Sequence, residues 1–185
     1  MVDDLTKALA ERIRGERARR AWSIADLALR SGVSGTMISK VERGEVNATA
    51  LVLGKLSGAF ALPLSTLLAS AEAGRGRLTR RDGQTLWTDP DSGYTRRALS
   101  PDPAGPLQLS EIELPPGARV AYPAAAYAFL RQQLWMLSGT LRIDRGDLVH
   151  DLVSGDCLEF GPPSDCLFEN PGAESCRYLV AVSRL

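Results

Sequence analysis

Histidine is almost absent from this chain of 185 residues, aromatic residues make up 6%, and only three cysteines occur. The one histidine, His150, leaves little room for zinc or general-base chemistry. The cysteines, Cys157, Cys166 and Cys176, are odd in number and all lie late, so reduced thiols are expected rather than a disulfide framework. No run of about 18 apolar residues exists, which excludes a membrane-spanning helix. The start, Met1-Val2-Asp3-Asp4-Leu5, has no basic flank followed by an apolar stretch, so no secretory signal is read and a cytoplasmic location is expected. Apolar residues are not lacking: 44% hydrophobic and 24% charged residues exclude disorder throughout. The length suits one or two domains.

Net charge is zero, but it is unevenly placed. Residues 1–81 hold 14 Lys+Arg against 8 Asp+Glu, and residues 82–185 hold 8 against 14. A basic half joined to an acidic half points to an anionic partner for the first half only.

The first half has helical periodicity. Leu5, Leu9 and Ile13, then Ala21-Trp22, recur at helical spacing among charged residues. Ser23 is a good N-cap, and Asp26 three residues on can complete a variant of the capping box. A helix over Ser23–Ser31 then places Ile24, Leu27 and Ala28 on one face, and Gly32 ends it. Ser34 caps a third helix with Met37, Ile38 and Val41 as its stripe, ended by Gly44. Thr49 caps a fourth carrying Leu51, Leu53, Leu56 and Phe60. Pro63 sits in the first turn of a fifth, ending near Ser70.

The informative stretch is Ser23-Ile-Ala-Asp-Leu-Ala-Leu-Arg-Ser-Gly-Val-Ser-Gly-Thr-Met-Ile-Ser-Lys-Val-Glu-Arg-Gly44. Two helices of about eight residues joined by a Gly-Val-Ser turn form a helix-turn-helix, whose second helix can enter a major groove. From Leu5 to Leu68 the sequence resembles the lambda-repressor-like, or XRE, helix-turn-helix family. Ala28, Gly32, the Val-Ser pair, Ile38-Ser39-Lys40, Glu42 and Gly44 fall in register with it. The resemblance implies base contacts from Gly35, Thr36 and Lys40, with Ser39 on phosphate, and the cap residue Ser34 is expected in the same DNA-binding set. Gly35 departs from the pattern, since it has no side chain to reach a base. Lys40 can reach guanine O6 and N7, and the Thr36 methyl can meet a thymine methyl. Ser23 and Ile24 open the second helix, where free N–H groups favour phosphate. Ile24 replaces a polar residue, so its contact would be through backbone alone. Arg43 and Asn47 follow the reading helix and can hold the sugar-phosphate backbone. The resemblance also implies a structural pair between Arg17 and Glu42.

Residues 71–81 break the pattern with two glycines and place four arginines within seven residues. They read as a solvated tether, as a basic strap on DNA, or as both.

From Gln84 onward, short runs rich in branched and aromatic residues alternate with Pro and Gly: Gln84–Thr88, Tyr94–Leu99, Leu107–Leu114, Gln132–Leu137, Thr140–Asp144, Leu148–Leu152, Cys157–Phe160, Cys166–Glu169 and Cys176–Val182. That rhythm predicts an all-β sandwich or barrel. Leu114-Pro-Pro-Gly117 with Gln132–Leu141, and Gly155–Phe160 with Cys166–Gly172, resemble the two motifs of the cupin family, a small jelly-roll barrel. The predicted architecture is thus an α + β two-domain chain. A five-helix bundle spans residues 1–70, a basic linker 71–82, and a cupin-like barrel 83–185.

Metal-binding cupins use two histidines and a glutamate from the first motif and a histidine from the second. Here the glutamate position is Gln132, the last histidine position is Cys166, and Pro123–Ala128 holds no histidine. An amide and a thiol do not hold a divalent ion, so no metal and no cofactor is expected. Alternation along the strand puts Gln132, Leu134 and Met136 on one face. If Gln132 points inward, Leu134, Met136, Cys166, Phe168 and Tyr127 either line a pocket or fill the barrel as core. Cys166 reads as an inert buried thiol or as a reactive sensor; Cys157 and Cys176 read as core.

These expectations converge on a DNA-binding transcriptional regulator, expected as a repressor. It would act as a homodimer on paired half-sites, with the barrel sensing a small-molecule effector, joining subunits, or both. The rival is a cupin-type isomerase or dioxygenase carrying an accessory DNA-binding module.

Overall fold

The computed structural model describes residues 2–68, 77–102 and 105–184. Five α-helices come first: α1 Val2–Arg19, α2 Ile24–Ser31, α3 Gly35–Glu42, α4 Ala50–Phe60 and α5 Leu64–Leu68. Ten strands follow: β1 Leu86–Thr88, β2 Thr95–Ala98, β3 Leu107–Leu114, β4 Arg119–Tyr122, β5 Leu130–Ser138, β6 Thr140–Asp144, β7 Val149–Val153, β8 Cys157–Glu159, β9 Cys166–Glu169 and β10 Cys176–Arg184. No helix among the described residues is long and apolar enough to cross a membrane.

Local chemistry sets the helix ends. The Ser23 hydroxyl accepts the Asp26 N–H, the Asp26 carboxylate accepts the Ser23 N–H, and Gly32 closes α2 at φ 66°. The hydroxyls of Ser34 and Thr49 cap α3 and α4 by accepting the Met37 and Val52 N–H. The first helix stops before Ala21-Trp22, because Ala21 turns left-handed at φ 53°. That turn swings Trp22 onto Phe60, with ring centroids 5.9 Å apart. Leu51 is exposed, unlike the other apolar residues assigned to the fourth helix. The reading of a helix as far as Ser70 lies outside the described residues at its end, as do residues 71–76 of the linker.

The strands form two antiparallel sheets. One has six strands in the order β1-β2-β3-β10-β5-β8, and the other four in the order β4-β9-β6-β7. β4 was not among the expected strands: it is four residues long and pairs with β9, Val120 opposite Phe168. The stretch after it, where first-motif histidines would fall, is a 3-10 turn over Ala124–Ala126. Asn170, fully buried, ties the barrel end together. Its amide donates to the carbonyls of Leu114 (2.9 Å) and Glu174 (2.8 Å), and its Oδ1 accepts the Gly172 N–H.

Strand alternation corrects one cysteine. Cys157 is exposed, because Leu158 takes the inner side of β8 and the residues flanking it must face out. Cys166 and Cys176 are buried.

The halves are joined by more than the linker. Helix α4 lies on β4 and the 3-10 turn. A Cβ on Gly54 would stand 2.8 Å from the Tyr122 ring, and one on Gly58 would stand 2.9 Å from Ala125. Small residues therefore permit an approach that any side chain would block. Asp89, buried in the β1–β2 loop, accepts the N–H of Ala50, the first residue of α4, at 2.7 Å.

Candidate nucleic-acid interface and effector pocket

Helix α3 presents Thr36 and Lys40, one turn apart and both exposed. Ile38 and Val41 bury the opposite side. Gly35 is half-buried, and a Cβ there would meet Ile24 at 3.4 Å, so these two residues pack α3 against the start of α2. The hydroxyl of Ser34 serves as the cap of α3, accepting the Met37 N–H at 3.2 Å. That of Ser23 is held by Asp26 at 2.7 Å. Both are exposed, but their oxygens already have partners. Arg43 is exposed and bonded to Glu45 at 2.6 and 2.9 Å and to the Ser39 hydroxyl. The pair holds the Arg43 guanidinium above its ordinary pKa and the Glu45 carboxyl below its own, in each case mainly through that hydrogen bond. Asn47 follows, half-buried.

Arg17 anchors the reading helix from behind. Its Nε and Nη2 donate to the two oxygens of Glu42, each at 2.7 Å, and its Nη1 donates to the Trp22 carbonyl. The bidentate pair locks α3 to α1 and raises the Arg17 pKa. It compensates a carboxylate that is only 5% exposed. Sequence reasoning did not name Glu45, although an acid two residues after Arg43 was legible as its partner.

The second site is a cavity inside the barrel, about 60 Å³, several times the room one water needs. Of the residues assigned to a pocket from sequence, Tyr127, Gln132 and Phe168 line it. Leu134, Met136 and Cys166 do not. Leu134 and Met136 are buried core, and the Cys166 thiol donates to the Ser164 carbonyl and lies beside Tyr127. Burial pushes the Cys166 thiol above its ordinary pKa, so the inert reading fits better than a thiolate sensor. The wall also contains Tyr94, Arg96, Tyr122 and Tyr178, which sequence reasoning missed. Burial pushes the phenols of Tyr94, Tyr127 and Tyr178 well above the ordinary tyrosine value and raises Tyr122 too. They are neutral hydrogen-bonding groups at physiological pH. Tyr94 and Tyr122 share a hydrogen bond between their hydroxyls.

One side of the cavity is not barrel at all. Gly54 and Ser57 of α4, with Pro63 and Leu64 beyond it, complete the wall. A metal centre does not fit here. Gln132 faces the cavity, Cys166 does not, and no group of three or more His, Cys, Asp or Glu side chains gathers among the described residues.

Residues 13–67 match the family model described as HTH_3, helix-turn-helix. That stretch, which holds α2, α3 and α4, is similar to helix-turn-helix domains of this family. The chain is similar to SutR, an HTH-type transcriptional regulator of Escherichia coli (strain K12), 29% identical over 72 residues. That match covers 39% of this chain, which spans 40% of SutR. The fold of the whole chain is similar to that of an HTH_3 family transcriptional regulator from Vibrio cholerae. The TM-score is 0.79 over 98% of this chain and 99% of that one, at 20% identity. A likeness at that identity establishes the fold, here over the helix-turn-helix domain and the barrel together. An RmlC-like cupin from Shewanella frigidimarina aligns over 60% of this chain and 92% of its own, with TM-score 0.48 and 15% identity. The C-terminal half is a β-barrel of two antiparallel sheets, a fold it shares with the Vibrio cholerae protein.

Proposed function

We propose that this chain is a sequence-specific DNA-binding transcriptional regulator whose barrel receives a small-molecule effector. The observation that carries the reading is the shared wall: Gly54 and Ser57 belong to the helix-turn-helix domain and also line the barrel cavity. An occupant of that cavity touches α4, which packs against α2, the helix that bears on the reading helix α3. A ligand shifts an equilibrium only by binding its states unequally. A wall made by both halves supplies that inequality, because the cavity changes shape when α4 moves.

On DNA, Thr36 and Lys40 read base edges. Ser39 and Arg43 hold phosphate, and Asn47 and the α2 start, Ser23 and Ile24, contact the backbone beside them. Ser34 and Gly35 set the entry of the reading helix. The chain acts in the cytoplasm as a homodimer, since one helix in one groove gives too little affinity and specificity. Trp135, 50% exposed on the outer face of β5 between Leu179 and the exposed Cys157, offers apolar ground for the subunit contact. Repression is the expected sign, because a dimer seated on its operator obstructs other proteins there. The donor set supports a sensor rather than a metal enzyme, since the amide of Gln132 is a poor ligand for a divalent ion.

The test is selection of bound duplexes from a random pool with the full chain, then titration of the selected operator. Lys40→Ala should cost about 1–3 kcal/mol and relax preference at one base pair. Unchanged affinity in both Lys40→Ala and Thr36→Ala would refute the assignment of the reading helix.

A further inference from the structure

The barrel's inner wall carries a cation that its neighbours do not explain. In the register of the larger sheet, Trp87, Arg96, Ile112, Tyr178 and Met136 stand opposite one another in a single row. Paired residues in adjacent strands share a face. The other four members of the row are all buried. Arg96 therefore directs its side chain into the barrel, and it lines the cavity. Its charge acts on the hydroxyls of Tyr94, Tyr122 and Tyr178, favouring their ionised forms against the effect of burial. Among the described residues no carboxylate pairs with it.

Arg96 is half-buried, and the part of its guanidinium that enters this apolar wall costs free energy unless an anion meets it. Gln132 lines the same cavity, and its side-chain amide has no protein partner among the described residues. The rest of the wall near it is Ile112, Val180, Phe168 and neutral phenols. One positive charge, unpaired hydrogen-bonding groups and apolar surface specify the guest. We infer that the cavity binds a small monocarboxylate with an apolar body. The carboxylate meets Arg96, whose planar fork matches its two oxygens. Gln132 and the Tyr178 hydroxyl, which has no partner among the described residues, donate to it, and the body lies against Ile112, Val180 and Phe168. A phosphate dianion fits less well, because its second charge would have no cation in this wall. This inference rests on the reading of the cavity as the effector site and adds the chemistry of the effector.

The experiment uses the full chain with sodium butyrate and sodium benzoate as probes. 1-Butanol and benzyl alcohol serve as uncharged isosteres, and inorganic phosphate as the competing anion. Binding is read by calorimetry and by the shift of the unfolding transition. At least one carboxylate should bind more tightly than its alcohol. Arg96→Gln should weaken that carboxylate by about 10–100-fold and leave the alcohol unchanged, and Arg96→Lys should restore part of the loss. Alcohols binding as tightly as acids, or undiminished carboxylate affinity in Arg96→Gln, would overturn the inference while leaving the cavity as a site for neutral molecules. Phosphate binding more tightly than both acids would overturn it in favour of a phosphorylated guest. Failure of acids and alcohols alike would remove both the inference and the effector reading. The comparison of acid with alcohol needs no variant, so it stands even if Arg96→Gln does not fold.

Discussion

The carboxylate of Asp89, in the first hairpin of the barrel, accepts the backbone N–H of Ala50, the first residue of the helix that roofs the cavity, at 2.7 Å. Its other oxygen accepts the Ser92 N–H at 2.9 Å and the Ser92 hydroxyl at 2.5 Å. One side chain thus closes its own turn and caps an element of the other half. Asp89 is only 3% exposed, so losing it strands buried donors. Asp89→Ala should lower stability by about 1–3 kcal/mol. Denaturant titration followed separately at the helical and barrel signals checks this. Unchanged coupling between the two transitions would refute a linking role for this bond.

Glycine-to-alanine changes in helices normally stabilise, by up to about 1 kcal/mol, because alanine has the better propensity. Gly58 should reverse that sign. A Cβ there would stand 2.9 Å from the backbone of Ala125, which cannot rotate away. Gly15 on α1 is the control, with nothing within 4 Å of its Cβ. Gly15→Ala should raise the unfolding temperature and Gly58→Ala should lower it. Gly58→Val should separate the halves further, visible as a larger radius of gyration in solution scattering. It should also uncouple DNA binding from the effector while keeping the operator affinity.

On the DNA face, Arg43 is held by Glu45 in the free protein. Phosphate must compete with that carboxylate. Glu45→Gln should therefore raise operator affinity a few-fold, a size typical of exposed pairs. Arg43→Gln should instead flatten the salt dependence by roughly 0.9 in log–log slope, since one phosphate then goes unneutralised. Anisotropy titrations at several salt concentrations measure both. An unchanged slope would show that Arg43 does not reach phosphate.

The cysteines differ in accessibility. Cys157 is exposed, whereas burial raises the thiol pKa of both Cys166 and Cys176, the latter from 9.0 to about 11. Iodoacetamide should therefore label one thiol per native chain quickly at near-neutral pH, located by mass spectrometry at Cys157. The same shifts predict alkaline unfolding. Groups whose folded pKa lies above the unfolded value favour folding fully below the unfolded value. They lose that contribution as pH rises through the folded one. For Cys176 the window runs from about 9 to about 11, and the buried tyrosines extend it upward. The denaturation midpoint should fall across that window and stay flat just below it.

What the sequence determined by itself is what short-range chemistry decides. Ser23 with Asp26, Ser34, Thr49 and Gly32 mark helix ends because caps act over three or four residues. The Arg17–Glu42 pair and the jelly-roll rhythm were legible through the family resemblance carried by local motifs. Two misses had a local signal that went unused. Arg96 on β2 stands opposite the buried apolar Trp87, so burying that ring turns the arginine inward, and Leu158 inward forces Cys157 out. The remaining features depend on partners remote in the chain. Nothing near Gly58 announces Ala125, and nothing near Ala50 announces Asp89. Tyr127 and Gln132 became wall, while Leu134 and Met136 became filling, only when α4 covered one part of the barrel and left the rest to close on itself. Burial is a property of the packed chain, and a residue's role as wall or core is settled by which distant surface arrives against it.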